Sequence, residues 1–263
     1  MGKKYRIDHE RNIGTVLFVV EGGNSEGGTE LRLLKAIFSD LLGFSMKELR
    51  RGSDEFIGHG GIGSSTVYGL NLPNNQLTEL TEERVDVLFK RLRTELKLKP
   101  ENYPLFFLYD RDVKSYRLNQ LRTYVCRYTN PYSDDAGNQG QLLLSYPAVE
   151  SFFISCLLDG PYTKCYELGR DMKLDAKNWG CTEAAIKEDS HLIHAACEMD
   201  RALQQLGCLE YDVDDLGTTL LQAYDAQQDF YRQTKTFQTL SLISMALLEL
   251  GILIEDETES ENE

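Results

Sequence analysis

The sequence predicts an α/β protein, with a mainly parallel sheet flanked by helices and a C-terminal helical extension. Three observations carry that reading. Apolar runs rich in β-branched and aromatic residues occur at residues 15–20 and 105–109, and a third strand-like run spans 141–145. Helical spacing follows these runs, so that strand and helix alternate as in a parallel sheet. Beyond about residue 160 the strand signal fades and helical periodicity replaces it.

The first strand, 15–20, stops at Glu21 and opens into a glycine-rich loop over 22–28. Thr29 is a plausible N-cap for a helix carrying Leu31, Leu33, Leu34, Ile37, Phe38 and Leu41 at helical spacing, and Gly43 is a natural stop. Residues 50–75 are glycine-rich, with a short strand running into a glycine loop at 54–63. Thr81 caps a second helix, whose buried face is Val85, Leu88, Phe89, Leu92 and Leu96. Pro100 to Pro104 forms a turn into the second strand, which ends at Asp110-Arg111-Asp112. A helix over 114–127 and a polar loop over 129–140 precede the third strand, and Tyr146-Pro147 leads into a helix through Glu150, Phe153 and Ile154. Residues 182–206, 213–230 and 233–252 read as helices. No internal repeat is present. The predicted organisation is an α/β domain over 1–158, a helical domain over 159–254 and a disordered acidic tail over 255–263.

Composition bounds the function. The chain has 263 residues, 41% apolar and 27% charged, with 21 Gly and 6 Pro, which excludes collagenous, low-complexity and wholly disordered classes. No run approaches the roughly 18–20 apolar residues that cross a bilayer, and the short run after the basic start is no signal peptide. The expectation is a cytoplasmic protein without membrane contact. The net charge is −14, and six of those negatives fall in 255–263, leaving the body near −8. Such a body does not advertise bulk phosphate binding, and it does not exclude an enzyme that meets phosphates through metals held by carboxylates. The six cysteines form no C-x-x-C pair and read as reduced, mostly buried thiols.

The acidic residues that end the strands are the informative feature. Glu21 follows the first strand, and Asp110 and Asp112 follow the second. Ligands of open parallel sheets bind outside the carboxyl ends of the strands, so neighbouring strands would bring these acids to one edge. Alternate residues of an extended segment point the same way, which aims Asp110 and Asp112 together. Three carboxylates so placed repel unless a cation joins them, and an all-oxygen pocket suits Mg²⁺ or Mn²⁺. Glu150, just beyond the third strand, reaches toward the same edge. Taken singly, each acid is no more than a polar loop start.

These residues resemble the TOPRIM family of topoisomerases, primases and overcoming-lysogenization-defect nucleases, which places a glutamate after its first strand and an Asp-x-Asp after a later one. Val19-Val20-Glu21-Gly22 matches the first element and Phe107-Leu108-Tyr109-Asp110-Arg111-Asp112 the second. The fuller pattern is similar to small TOPRIM-like proteins of prokaryotic antiphage defence, including the RloB-type abortive-infection group, which carry E-G-x-x-T-E, D-x-D and a later Pro-x-x-Glu. Gly28-Thr29-Glu30 and Pro147-Ala148-Val149-Glu150 correspond to the outer pieces. The resemblance covers about 15–155 and implies a TOPRIM-like sheet. The loop between Glu21 and Thr29 is longer than the family pattern, leaving Glu26 and Glu30 as rivals for places in the site.

The resemblance implies metal-dependent cleavage of DNA or RNA, in a defence effector with a companion ATPase. Asp110 and Asp112 would bind metal, Glu21 would bind metal or act as base, and Glu150 would complete a second metal site. Lys114 would offset charge on the reacting phosphate. A non-catalytic TOPRIM-derived binding or regulatory subunit is the alternative. Homo-oligomer formation through the apolar stretch 240–254 stays open, with burial inside its own domain the plainer reading.

Other features of the sequence have plainer explanations. Neither glycine-rich stretch, 22–28 or 58–63, contains the Walker pattern, and both read as loops. His191, His194 and Cys197 recur at three-residue spacing, but a metal site needs a fourth ligand, and an ordinary packed helix explains them. Arg111, Lys114, Arg117, Arg122 and Arg127 form the best local candidate for a phosphate-facing patch. The tyrosines around Asp110, from Tyr103 to Tyr132, offer base stacking or, more simply, core packing.

Overall fold

The computed structural model describes residues 3–21, 28–60, 63–72, 80–111, 118–132, 138–208 and 215–256. In the first half the elements are β1 (Tyr5–Ile7), β2 (Thr15–Glu21), α1 (Thr29–Lys35, continued by a π-helical turn over Ala36–Leu41), β3 (Ser45–Glu48), β4 (Phe56–His59), β5 (Thr66–Leu72), α2 (Glu82–Glu95), β6 (Leu105–Asp110), α3 (Leu118–Arg127) and β7 (Thr129–Asn130). There follow β8 (Gly140–Tyr146), α4 (Glu150–Leu157), β9 (Cys165–Tyr166), α5 (Gly169–Asn178), α6 (Asp189–Gln205), α7 (Leu216–Thr234), β10 (Phe237–Gln238), β11 (Leu240–Ser241), α8 (Ile243–Glu249) and β12 (Leu253–Glu255).

The central sheet runs in the order β11-β8-β6-β2-β5-β4-β3, with β7 also on β8. Its inner strands β8, β6, β2 and β5 are parallel, and the outer pairings are antiparallel, so the sheet is mixed but mostly parallel. The apolar runs explain why β2 and β6 lie inside: Val16 through Val20 and Leu105 through Tyr109 are all buried. Phe18 and Phe106 are register partners on adjacent strands, and their rings stack at 5.2 Å. Phe38 closes on Phe18 from the π-helical turn at 5.6 Å, fixing that turn to the sheet.

β5 was hidden in the glycine-rich stretch because Gly69 interrupts its pattern. An added Cβ there would lie 2.2 Å from Phe56 Cε1, so glycine is what lets β4 bring Phe56 across β5. Thr81 caps α2 as expected, its Oγ1 accepting from Arg84 N–H at 3.4 Å. Thr29 is instead the first helical residue; Gly28 stands at the cap without a side-chain bond. Glu150 likewise opens α4 rather than lying one turn inside it.

Residues 233–252 are not one helix. α7 stops at Lys235, which is left-handed at φ 62°, and the chain then forms β10 and β11 before the seven-residue α8. A continuous apolar run has no period, so it does not separate buried strand from buried helix. β11 pairs with β8 at Leu240↔Tyr146 and Ser241↔Ser145, which makes a segment of the expected helical half an edge strand of the central sheet. Beyond Gly251, at φ 67°, β12 pairs antiparallel with β1. Glu255 is therefore in a strand and paired with Lys3 at 2.8 Å, and Asp256 meets Arg6 at 3.2 Å, so the expected tail begins no earlier than 257. Residues 257–263 lie outside the described residues. Of the six cysteines, Cys156, Cys181 and Cys208 are buried, whereas Cys126 and Cys165 are exposed. Among the described residues no helix is long and apolar enough to cross a membrane.

Candidate metal centre at the strand ends

β2 and β6 are parallel neighbours, in register from Leu17↔Leu105 to Val20↔Leu108, so both deliver their carboxyl ends to one edge. Glu21 and Asp110 are the terminal residues of the two strands. They meet there: the Asp110 backbone N–H donates to Glu21 Oε2 at 3.4 Å. β8 lies on the other side of β6, with Asp110 opposite Ser145. The turn after β8 brings Val149, whose N–H donates to Asp110 Oδ1 at 2.6 Å, and then Glu150 at the start of α4. Asp110 is thus aimed by two elements, and Glu150 reaches the same edge because β8 and its turn place α4 there.

Two further residues enter from helices. Glu30, in the first turn of α1, is buried and feels the charges of Asp110 and Glu21. Lys173, in α5, donates to Asp110 Oδ2 at 3.3 Å and lies 4.0 Å from Glu150 Oε2. Burial and, after it, the neighbouring Asp110 charge push the Glu30 carboxyl up to about 8. Burial also pushes Glu150 up to about 7; Lys173 opposes the rise and Asp110 adds to it. The ammonium of Lys173 is held above its ordinary value, burial opposing and the carboxylates of Asp110 and Glu150 prevailing.

The donor set is oxygen-rich and partly unsatisfied. Glu150 Oε2 is buried and has no hydrogen-bond partner among the described residues. Four acidic side chains around one half-exposed lysine leave an excess of negative charge in a poorly solvated place. Glu21, Glu30, Asp110 and Glu150 offer the oxygen chemistry that a hard divalent cation such as Mg²⁺ or Mn²⁺ takes. As placed, however, they do not form a group of ligand atoms within 4.8 Å of one another, as Asp159, His194 and Glu198 do among the described residues.

Of the residues singled out in the sequence, Glu21, Asp110 and Glu150 are brought together. Asp112, Lys114 and Glu26 lie outside the described residues. Of the two rivals that the long loop left, Glu30 stands at this edge. Lys173 was missed: it is an ordinary lysine in a polar helix, 63 residues from Asp110, and nothing in its sequence neighbourhood marks it.

Of the expected phosphate-facing patch, Lys114 and Arg117 lie outside the described residues, and Arg111 is corrected. Arg111 is buried, its guanidinium 5.0 Å from the Phe237 ring and its Nη2 donating to Gln228 at 3.2 Å. Arg122 is spent on Asp225 of α7, at 3.1 and 2.9 Å. Tyr109, Tyr124 and Tyr128 are core residues, which leaves Tyr132 as the exposed one among the described tyrosines of that stretch. His191, His194 and Cys197 do not converge: His191 Nδ1 accepts from Lys187 N–H, Cys197 Sγ lies 3.8 Å from the Lys3 carbonyl, and His194 faces Asp159 and Glu198.

Compared with protein-family models, curated proteins and solved structures, the chain matches none of them.

Proposed function

We propose that the strand-end cluster binds Mg²⁺ or Mn²⁺ and that the chain is a TOPRIM-like nuclease hydrolysing phosphodiester bonds of DNA or RNA. The observation that carries this reading is the meeting of Glu21 and Asp110 at the ends of adjacent parallel strands, with Glu150 Oε2 buried beside them and without a hydrogen bond among the described residues. Glu21, Glu30, Asp110 and Glu150 would hold the metal, and Asp112 belongs to the proposal through the D-x-D pattern alone. Bound there, the metal would lower the pKa of a coordinated water and neutralise charge on phosphate oxygens.

The chain's own residues supply the rest. Val149 N–H fixes one Asp110 oxygen, which leaves the other to turn outward. Glu30 and Glu150, whose carboxyls titrate near neutral pH without metal, would give up their protons as they take the metal. Lys173 carries a positive charge at the same edge and can meet a phosphate oxygen once it leaves Asp110. An acidic body with Arg111 buried and Arg122 paired to Asp225 at the surface favours delivery of nucleic acid by a partner. A companion ATPase in an antiphage or abortive-infection system is the partner that the family resemblance implies.

One observation favours the second reading, a non-catalytic binding or regulatory subunit: the Lys173 ammonium, 3.3 Å from Asp110 Oδ2 and 4.0 Å from Glu150 Oε2, itself offsets the charge of these carboxylates. The test is incubation of mixed single- and double-stranded DNA and RNA with Mn²⁺. Cleavage by wild type that Glu21→Ala and Asp110→Ala abolish supports the nuclease; a wild type that binds Mn²⁺ yet cleaves nothing, alone or with its ATPase, supports the subunit.

A further inference from the structure

A second cluster lies outside the strand-end site and owes nothing to the reading above. His194 and Glu198 are four residues apart on α6 and share a face, and Asp159 reaches them from the chain just after α4. His194 Nδ1 lies 2.7 Å from the Ser155 carbonyl oxygen. A carbonyl only accepts, so Nδ1 carries a proton and the bond turns Nε2 toward two carboxylates. Nε2 faces Asp159 Oδ1 at 3.0 Å and Glu198 Oε1 at 3.7 Å. Arg201 already meets Glu198 Oε1, and a metal ion placed among Nε2, Asp159 and Glu198 would draw the three ligand atoms together.

The geometry points to a zinc-class divalent cation held by His194 Nε2, Asp159 and Glu198. Their ligand atoms all lie within 4.8 Å of one another, so one ion can touch all three after a small closure. A histidine whose other nitrogen donates to a backbone carbonyl is the arrangement that orients metal-ligating imidazoles. One imidazole with two carboxylates suits Zn²⁺ with a water as fourth ligand, whereas Mg²⁺ and Ca²⁺ prefer oxygen throughout.

Glu198 is prepared for the task. Its side chain is fully buried, Gly160 N–H donates to Oε2 at 3.0 Å, and Arg201 holds Oε1, leaving a further lone pair on that oxygen. A cavity of about 230 Å³, lined by Cys156, Ser190 and His191 among others, adjoins His194 and gives room for the water. The ion would clamp the C-terminal end of α4, whose first residue is Glu150, to α6.

The test uses the full chain, stripped with chelator and titrated with Zn²⁺ and, separately, Co²⁺. Zinc at about a hundredfold excess over its Kd should raise Tm by about 5–10 °C, and Co²⁺ should give the visible absorption of a low-coordinate N/O site. Both should survive Asp110→Asn and be lost in His194→Ala and in Asp159→Asn. Asp159 is 96% exposed at its side chain, so the second variant folds whatever His194→Ala does. A wild type indifferent to zinc, a zinc response unchanged in both variants, or a Tm that rises on acidification with no zinc effect would overturn the assignment, the last by leaving a proton in the metal's place.

Discussion

Loading the strand-end cluster with Mn²⁺ should expel protons, and the number is set by the two perturbed carboxyls. At pH 7 a Glu30 that titrates at about 8 is about nine-tenths protonated, and a Glu150 at about 7 is about half protonated. Metal ligation needs both as carboxylates, so binding should release about one and a half protons per chain at pH 7. At pH 9 both are already ionised and the release should fall to about one-tenth of a proton. Glu30→Gln removes its share and should leave about half a proton at pH 7. The assay is titration calorimetry in buffers of different ionisation enthalpy, whose slope of heat against ionisation enthalpy counts protons directly. Mn²⁺ that binds at pH 7 with no proton release, or with the same release at pH 7 and pH 9, would refute the assignment of Glu30 and Glu150 as ligands.

The same two groups make the metal-free fold sensitive to pH. Their folded-state pKa values are raised above the ordinary 4.5, so the native chain binds more protons than the unfolded one between the two values. Stability is therefore fullest below about pH 4.5 for this contribution and is lost as pH rises toward about 8. Urea melts without metal should show that decline, less steep in Glu30→Gln and offset by Mn²⁺. Elsewhere, Glu55 is buried and takes Asn71 N–H at 3.0 Å and Arg91 Nη1 at 2.8 Å, joining β5 to α2. Arg91→Met should cost about 3–5 kcal/mol in a denaturant melt, because it strands a buried carboxylate; Arg91→Met combined with Glu55→Gln should cost less than the single change.

The parallel half of the sheet was readable because its strands are uninterrupted apolar runs that end on acids. Two strands buried on both faces left few alternatives, and their ends carried Glu21 and Asp110 to one edge. What escaped was structure without a period. Gly69 broke the pattern of β5, and the almost wholly apolar run from 240 hid β11 inside the helix expected over 233–252. The candidate site divided the same way. Glu21, Asp110 and Glu150 were visible through their positions after strands. Lys173 was not, since its approach to Asp110 depends on how α5 packs, and no local spacing encodes that. Arg111 misled for a related reason: a basic residue between two acids reads as solvent-facing, but here it turns under Phe237 toward α7.

The central claim is that side chains distant in the chain gather around one ion at the end of the sheet. Titrating the metal-stripped protein into Mn²⁺ and following the aqueous Mn²⁺ electron paramagnetic resonance signal tests this most directly. The account predicts a stoichiometric loss of signal for wild type, and for the His194→Ala variant, that Asp110→Ala prevents and Glu21→Ala weakens at least tenfold. A signal that wild type leaves undiminished, or that Asp110→Ala quenches equally well, would contradict it.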